Sequence, residues 1–572
     1  MKTPNYDKFP ATSVDGRLFK GWEGIREELL RGLSGPLVLD FYAGVYEESV
    51  ERELGKAFPH VVRTRNLMKD EACVRALTQP YMTEDVLFGH VSPLKLMDFF
   101  DKEKVAAARE DLQSASNDTL IIGIGAALVA PSHGRLVYAD MARWEIQQRF
   151  RRHEVCAIGV DNREDPVSIQ YKRGYFIDWR ALDYYKDEIL TRVDYWLDTN
   201  SAVPKLISRE TFLAGLEKTA SGPFRVVPFF DPAPWGGQWM KRVCGLDPSK
   251  ANYGWCFDCV PEENSLYLKV EGELFEIPSV DLILRHSRQI LGAPVEARFG
   301  KDFPIRFDFL DTIGGGNLSL QVHPTTQFIR EQFGMAYTQD ESYYILDAEP
   351  GASVYLGVKD GVDPEKMLED LRAAQRGERV FDAEKYVNRL PAVKHNHFLI
   401  PGGTIHCSGA GCLTLEISAT PNLFTFKLWD WQRLGLDGKP RPINVERGSK
   451  VIQWERNTQY VKAHLANCFQ DVAEGEGWKE IHTGLHPNEF IETRRTDFTT
   501  SVCYETGDSV QVLNLVEGEE AVVESPEGRF EPFVVHYAET FIVPAAVGRY
   551  AIRPSGNAKA CKMIRAFVRF NA

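Results

Sequence analysis

Apolar residues form three runs within the first 200 positions, and polar stretches of helical composition separate them. The runs are Pro36–Phe41, Leu120–Gly125 and Cys156–Val160. Each run predicts a buried strand, and the charged segments Val45–Ala57 and Lys102–Asn117 predict helices between them. Strands that are apolar throughout and alternate with helices are typical of a parallel sheet. The pattern therefore predicts an α/β domain over residues 1–204.

From about residue 205 the apolar runs become shorter and are broken by Gly, Pro, Asn and Asp. Gly351–Gly357 and Phe398–Gly403 are examples. Many short strands with turn residues between them predict antiparallel sandwiches or jelly rolls. A helical insert is expected over Pro364–Arg376, because its apolar residues fall on one helical face. We predict a β domain with this insert over residues 205–450.

The C-terminal stretch is also strand-like. Val510–Glu519 alternates before a turn, and Thr540–Pro544 resembles Phe398–Pro401. We therefore predict a second β domain over residues 451–572. The expected fold class is multidomain, an α/β domain followed by two mainly β domains.

Composition narrows the function classes. The chain has 572 residues, a formal charge of −14 and a pI near 5.5, which argue against a nucleic-acid partner. The start of the chain shows no apolar signal-peptide core, and the longest apolar run is too short to span a membrane. Ten scattered cysteines show no disulfide framework, which suits a reducing compartment. We expect a cytoplasmic protein without a membrane partner, and the oligomeric state is left open.

Four polar residues predict a site for one divalent metal ion. Gln321 and His323 are two positions apart, so on a strand both project from one face, about 6–7 Å apart. Glu341 precedes an apolar strand-like run, and His406 follows a Pro-Gly-Gly turn. Nitrogen and oxygen ligands suit Zn²⁺ and also Mn²⁺, Fe²⁺ or Co²⁺, with a position open for substrate. The alternative is that each residue is solvated or hydrogen-bonded to backbone.

Residues 225–450 resemble the type I mannose-6-phosphate isomerases, which are zinc-dependent cupins. The segments that carry the resemblance are Trp235–Gly237, Leu318–Pro324, Glu341–Asp347, Pro401–His406 and Leu428–Trp431. It implies that Gln321, His323, Glu341 and His406 are zinc ligands. It also implies that Ser319 lies beside the substrate phosphate, that Trp235 binds substrate, and that Glu416 is an acidic residue of the active-site cleft.

The implied reaction converts mannose 6-phosphate to fructose 6-phosphate through an enediol. It needs a base beside a carbonyl and a positive charge for the oxyanion. Glu416 is the candidate proton shuttle, with a strand-end salt bridge as the alternative, and Lys427 is the candidate for the enediolate oxygen. Two departures weaken the match to this substrate: Gln339 stands where the family commonly has Lys, and Lys427 where bacterial members have Arg.

These departures leave two other functions open. One is a sugar-phosphate sensor that binds metal without catalysis, and the other is an isomerase or epimerase of another sugar. In the N-terminal region, Leu37–Gly44 and Tyr171–Arg180 resemble a nucleoside-kinase or P-loop fold only in a general way. The GxxxxGK[ST] motif is absent from the sequence, and Gly123–Gly125 is expected to be a turn rather than a phosphate cradle. We expect a degenerate kinase-like domain with an interaction or regulatory role.

Overall fold

The computed structural model describes residues 5–484 and 486–570. The strands up to residue 278 are β1 (Ala11–Ser13), β2 (Leu18–Lys20), β3 (Leu37–Phe41), β4 (His60–Arg63), β5 (Thr119–Gly123), β6 (Arg135–Asp140), β7 (Tyr195–Asp198), β8 (Lys205–Ser208), β9 (Phe229–Asp231), β10 (Trp255–Cys259), β11 (Ser265–Val270) and β12 (Glu273–Pro278). The next nine are β13 (Ile305–Asp311), β14 (Leu320–Val322), β15 (Glu341–Ala348), β16 (Ser353–Val358), β17 (Val387–Pro391), β18 (His397–Ile400), β19 (His406–Ser408), β20 (Cys412–Ala419) and β21 (Phe426–Trp429). The C-terminal strands are β22 (Gln470–Gly475), β23 (Trp478–Gly484), β24 (Ile491–Phe498), β25 (Val502–Glu505), β26 (Gln511–Glu517), β27 (Glu520–Glu524), β28 (Phe533–His536), β29 (Thr540–Val543), β30 (Arg549–Pro554) and β31 (Cys561–Val568).

The α-helices are concentrated in the first half of the chain. Those up to residue 220 are α1 (Gly21–Leu30), α2 (Glu47–Leu54), α3 (Glu71–Met82), α4 (Lys102–Leu112), α5 (Ala126–Val129), α6 (Arg143–Arg151), α7 (Val167–Arg173), α8 (Trp179–Ile189) and α9 (Arg209–Ala220). The later ones are α10 (Trp239–Val243), α11 (Val280–Leu291), α12 (Ala293–Phe299), α13 (Thr326–Phe333), α14 (Pro364–Gln375), α15 (Ala383–Tyr386), α16 (Val445–Gly448) and α17 (Thr458–Tyr460). Short 3₁₀ segments cover Gly55–Ala57, Thr64–Leu67, Leu96–Phe99, Leu190–Arg192 and Ala545–Val547, and π-helical turns cover Gly174–Asp178 and Val461–Leu465.

The chain forms two compact units that are not contiguous in sequence. The N-terminal unit contains residues 11–219 and 262–286. The β unit contains the described residues of 1–10, 220–261 and 287–572. The division into domains at residues 204 and 450 stays a prediction.

The N-terminal unit is built on a seven-stranded sheet with the order β2-β8-β7-β6-β3-β5-β4. The five strands from β7 to β4 in this order are parallel, and β8 and β2 add an antiparallel edge. All residues of β3 and β5 are buried, which explains why these central strands are apolar throughout. The strands expected at Pro36–Phe41 and Leu120–Gly125 are confirmed, as are the helices expected within Val45–Ala57 and Lys102–Asn117, which are α2 and α4. A smaller sheet, β1-β11-β12, completes this unit.

The strand predicted at Cys156–Val160 is wrong, because this segment forms a loop. Its backbone N–H groups bond to side chains instead of a neighbouring strand: Ala157 donates to Asn162 and Ile158 donates to Asp178. Gly159 has a φ of +69°, a left-handed conformation that extended strands do not contain. The apolar residues mark burial here, and burial alone does not distinguish a loop from a strand.

The β unit contains two antiparallel sandwiches. The first pairs a six-stranded sheet, β18-β15-β20-β13-β10-β9, with a five-stranded sheet, β17-β16-β19-β14-β21. The second pairs the sheets β22-β23-β24-β31-β26-β29 and β25-β30-β27-β28 around a core that includes Leu513, Phe541 and Tyr550. The expected helical insert is confirmed as α14, which buries Met367, Leu368 and Leu371. In the ranges described, no helix combines the length and the apolar character that crossing a membrane requires.

Candidate metal centre

Three strands of the first sandwich bring the four candidate ligands together. Gln321 on β14 lies in register with His406, the first residue of β19. His323 directly follows β14, and Glu341 is the first residue of β15 in the facing sheet. All four side chains are buried. The predicted convergence of three separated chain segments is therefore present in the structure.

The carboxylate of Glu341 lies between the two imidazoles. Its Oε2 is 3.0 Å from Nε2 of His323, and its Oε1 is 2.9 Å from Nε2 of His406. One ligand atom from each of these residues lies within 4.8 Å of the others. Two atoms bound to one zinc ion at about 2.1 Å are at most about 4.2 Å apart, so small movements of the side chains suffice to place an ion between them.

Backbone carbonyls orient both histidines. Nδ1 of His406 lies 2.9 Å from the carbonyl oxygen of Thr404, and Nδ1 of His323 lies 3.2 Å from that of Phe424. A carbonyl only accepts, so each Nδ1 carries the proton and donates it. In a neutral imidazole this leaves the lone pair on Nε2, the atom that faces Glu341. A hydrogen bond of this kind is what fixes the tautomer of metal-binding histidines.

Electrostatics favour the ionised carboxylate. Burial alone would raise the pKa of Glu341, but the adjacent imidazoles of His323 and His406 hold it well below its ordinary value. Burial likewise acts to lower the pKa of His323, and the Glu341 carboxylate outweighs it, so that this pKa is raised. The three groups thus stabilise one negative charge in a buried place.

The donor set fits a divalent cation. Nε2 of His323 and Oε1 of Glu341 are buried and make no hydrogen bond within the described chain. Leaving such atoms unpartnered costs about 1–3 kcal/mol each. A cation bound by two imidazole nitrogens and a carboxylate would satisfy both atoms at once.

Gln321 belongs to the cluster, but its amide oxygen is turned away. Nε2 of Gln321 lies 3.2 Å from Nε2 of His406, and its Oε1 accepts a hydrogen bond of 2.9 Å from the Ser319 hydroxyl. Rotation of the amide by a half turn would bring Oε1 to the histidine side and leave the nitrogen beside Ser319. Ser319 is itself buried and lies beside Gln321, and its place next to a substrate phosphate stays a prediction.

Glu416 lies next to the cluster on β20. It is in register with Asp308 on one side and with Tyr343 on the other. Nε2 of Gln339 donates hydrogen bonds to Oε2 of Glu341 at 3.1 Å and to Oε1 of Glu416 at 3.2 Å. Burial, and then the charges of Asp308 and Glu341, raise the pKa of Glu416 well above its ordinary value.

Lys427 borders the cluster from the opposite side. It lies on β21 in register with Gln321, an arrangement that places two side chains on one face within about 5 Å of each other at Cβ. Burial, and secondarily the Arg441 guanidinium, lower the pKa of Lys427 to about 8. No ion pair of Lys427 occurs in the part of the chain that the structure covers.

Trp235 contacts a neighbouring loop. Its buried ring meets Trp255 edge-on at a centroid distance of 5.2 Å, and its carbonyl oxygen accepts from the backbone of Gly316 at 3.0 Å. The loop containing Gly316 precedes β14, so Trp235 supports the segment that carries Gln321. A direct role of Trp235 in substrate binding stays a prediction.

Sequence reasoning named Gln339 as a departure from the family pattern but did not foresee its contacts with Glu341 and Glu416. It gave no part in the site to the carbonyls of Thr404 and Phe424. The spacing of Gln339 and Glu341 is that of two residues on one strand face, and this signal could have placed Gln339 beside the ligands. Backbone carbonyls have no counterpart in residue identity, so the partners of the histidines could not be found this way.

In the N-terminal unit, the carboxylate of Asp40 bonds to the turn that follows β5, where a phosphate cradle would otherwise lie. Asp40 on β3 accepts hydrogen bonds from the backbone of Gly125 at 2.9 Å and of Ala127 at 2.8 Å. The backbone N–H groups of Gly125 and Ala127 are thus already bonded within the protein.

Comparison with known proteins gives similarity over parts of the chain. A family model described as a domain of unknown function (DUF8485) matches residues 21–221, and it lends no support to the kinase-like interpretation. The chain is 25% identical over 231 residues to the mannose-6-phosphate isomerase ManA of Bacillus subtilis (strain 168), an alignment covering 40% of this chain and 68% of that protein. It is 23% identical over 296 residues to the putative mannose-6-phosphate isomerase YvyI of the same organism, covering 52% and 86%.

Two solved structures are similar at a lower level. The mannose 6-phosphate isomerase from Bacillus subtilis superposes with a TM-score of 0.49 at 17% identity, covering 60% of this chain and 99% of that chain. A zinc-bound mannose 6-phosphate isomerase gives a TM-score of 0.46 at 16% identity, covering 61% and 100%. The sequence alignments alone show that part of this chain is similar to mannose-6-phosphate isomerases, as the motifs predicted.

Proposed function

We propose that this protein is a zinc-dependent aldose–ketose isomerase that interconverts mannose 6-phosphate and fructose 6-phosphate, and that its first sandwich is a cupin. The observation that carries the proposal is the Glu341 carboxylate held between Nε2 of His323 and Nε2 of His406. Sequence similarity to mannose-6-phosphate isomerases supports the choice of reaction.

His323, Glu341 and His406 would hold the ion, with Gln321 as a fourth ligand after rotation of its amide. A bound divalent cation supplies positive charge for the oxygen beside the carbon that loses its proton. The hydrogen bonds from the two imidazole Nδ1 atoms keep both Nε2 atoms directed at the Glu341 carboxylate. The ligands are therefore ordered before substrate binds.

Glu416 is proposed to move the proton between C1 and C2 of the sugar. Its burial raises its pKa, which makes the ionised carboxylate a stronger base and lets the acid hold the proton until it is returned. The Gln339 amide fixes Oε1 of Glu416 beside the metal-binding carboxylate. Lys427 would contribute a positive charge to the enediolate oxygen, and Ser319 and Trp235 are proposed to contact substrate.

Deuterium exchange at C2 of mannose 6-phosphate, followed by NMR in D₂O, tests the proposal. The zinc-loaded protein should incorporate deuterium and form fructose 6-phosphate. Glu416→Gln should lower the exchange rate by about 10²- to 10⁴-fold at an unchanged zinc content. Binding without exchange would instead identify a sensor, and exchange with another sugar alone would correct the substrate.

A further inference from the structure

The side-chain amide of Gln339 lies between two buried carboxylates. Its nitrogen donates to Oε2 of Glu341 at 3.1 Å and to Oε1 of Glu416 at 3.2 Å. The residue is 4% exposed. Both N–H groups of the amide are therefore used within the protein.

Chemistry fixes the orientation of this amide. Rotated by a half turn, the amide would direct its carbonyl oxygen at two carboxylate oxygens. The oxygens of an ionised carboxylate only accept hydrogen bonds, and so does the carbonyl oxygen. The nitrogen must face the carboxylates, so the carbonyl oxygen must face away from them. No other orientation satisfies Glu341 and Glu416 together.

The carbonyl oxygen of Gln339 has no hydrogen-bond partner in the described chain, although it is buried. A buried acceptor of this kind is stabilised by a donor from outside the protein. A ligand hydroxyl can supply this donor and replace a water molecule there without loss of the hydrogen bond.

The charges around Gln339 select against an anion at the same point. Glu341 and Glu416 are its two partners, and Asp308 lies in register with Glu416. Arg306 is a basic group near Asp308, with its guanidinium 3.9 Å from that carboxylate. A phosphate group at physiological pH brings acceptors and negative charge to a carbonyl oxygen flanked by carboxylates, whereas a hydroxyl brings a proton.

We propose that Gln339 is a specificity-determining residue whose carbonyl oxygen accepts a hydrogen bond from one sugar hydroxyl. The substrate is then unphosphorylated at the position that faces Gln339. This inference rests on the proposed function, which places a sugar beside Glu341 and Glu416. It narrows the substrate class to sugars that retain this hydroxyl.

A cycle of protein and substrate changes tests the contact. Mannose 6-phosphate, mannose, and the 3-deoxy, 4-deoxy and 6-deoxy forms of mannose are compared on the zinc-loaded full-length protein and on Gln339→Met. Dissociation constants come from calorimetry, and kcat/KM comes from exchange at C2. The wild type should lose about 10- to 100-fold in affinity for one deoxy sugar, and Gln339→Met should treat that sugar and its parent alike.

The ratio between sugars isolates the contact. Loss of the two N–H donors in Gln339→Met affects every sugar equally and cancels. Thr338→Val is the matched control. Thr338 is the neighbour of Gln339 in sequence, and its hydroxyl donates to the backbone carbonyl of Pro324. This variant should lower stability and keep the discrimination. If Gln339→Met does not fold, Gln339→Asn withdraws the carbonyl by one carbon and should reduce the same ratio.

The outcomes separate the two proposals. Sugar binding with equal ratios in wild type and Gln339→Met for every hydroxyl would overturn the role of Gln339, whatever the exchange assay shows. Coupling in affinity without exchange would support the hydroxyl contact and reject the isomerase. Failure of every sugar to bind would overturn both.

Discussion

Replacing His406 by Ala should remove zinc binding, and His397 offers a closely matched control. Both imidazoles are fully buried in the first sandwich. Each has its Nδ1 beside a backbone carbonyl oxygen, that of Thr404 at 2.9 Å for His406 and that of Thr483 at 3.0 Å for His397. The two residues differ in that Nε2 of His406 faces Glu341. A comparison of the two Ala variants therefore separates metal binding from the loss of a buried ring.

The magnitude follows from two contributions. Removing a large buried side chain costs about 2–5 kcal/mol in either variant without metal. Zinc at about 1,000 times its Kd adds about 4.1 kcal/mol to the stability of a protein that binds it only when folded. This second contribution should be present in the wild type and in His397→Ala. It should be absent in His406→Ala, which keeps only His323 and Glu341 of the three groups.

The assay is urea unfolding of chelator-treated protein with and without added zinc, together with elemental analysis. The zinc-dependent gain in the free energy of unfolding is the measured quantity. An equal gain in His406→Ala and His397→Ala would refute the assignment of the metal centre, because the ion would then lie elsewhere. His406→Asn and His397→Asn provide a milder pair if the Ala variants do not fold.

Three further predictions concern charge. Lys427→Met should lower kcat by about 10²-fold at unchanged zinc content, whereas Lys427→Arg should retain most of the activity, because Lys and Arg side chains both bring a positive charge to a developing oxyanion. Steady-state kinetics and metal analysis test this prediction. Equal losses of kcat in the two variants would reject a role for the charge. Arg225 is buried, with Glu539 at 2.9 Å and Asp258 at 3.4 Å, so Arg225→Met should lower the free energy of unfolding by denaturant by about 3–5 kcal/mol. Lys20→Met removes an exposed ion pair and should leave the free energy of unfolding unchanged. A similar loss in both variants would contradict the argument. Burial lowers the pKa of His397 to about 3, whereas the pKa of an unfolded histidine is about 6.5. Between these two pH values the unfolded chain binds more protons than the folded one. Protonation of His397 therefore destabilises the fold by about 1.4 kcal/mol for each pH unit as the pH falls from about 6.5 toward about 3. Unfolding of His397→Gln between pH 7 and pH 5 should show a shallower loss than the wild type, and parallel curves would show that His397 does not contribute.

The sequence predicted a strand correctly where a continuous apolar run belongs to a strand that is buried on both faces. The runs at Pro36–Phe41 and Leu120–Gly125 are central strands, where both faces are covered and apolar residues are continuous. Cys156–Val160 has the same composition and is a loop, because Asn162 and Asp178 satisfy backbone groups that a strand would pair. Asn162 lies 5 positions after Ala157, and Asp178 lies 20 positions after Ile158. The apolar pattern does not show which polar side chains bond to the backbone.

The candidate ligands could be predicted because their spacing and strand context are local. Gln321 lies on β14 and His323 directly after it, two positions apart as the sequence showed, and the turn before His406 is short. The contact of Gln339 with Glu416 joins residues 77 positions apart and depends on the register of β15 and β20. Register between strands is a property of the folded sheet, which explains why the partner of this amide emerged only from the structure.

Charge balance connects the metal centre with the neutral amide beside it. Glu341 and Glu416, when both are ionised, bring two negative charges into a buried place, and a divalent cation on the histidine side offsets them. A lysine at position 339 would add a positive charge, which an anionic substrate group could then neutralise. Gln339 adds none, so an anion bound there would remain uncompensated and costly to bury. Under the proposed function, residue 339 therefore decides whether this side of the site can take an anionic group of the substrate. The bound cation would offset the charge of the two carboxylates.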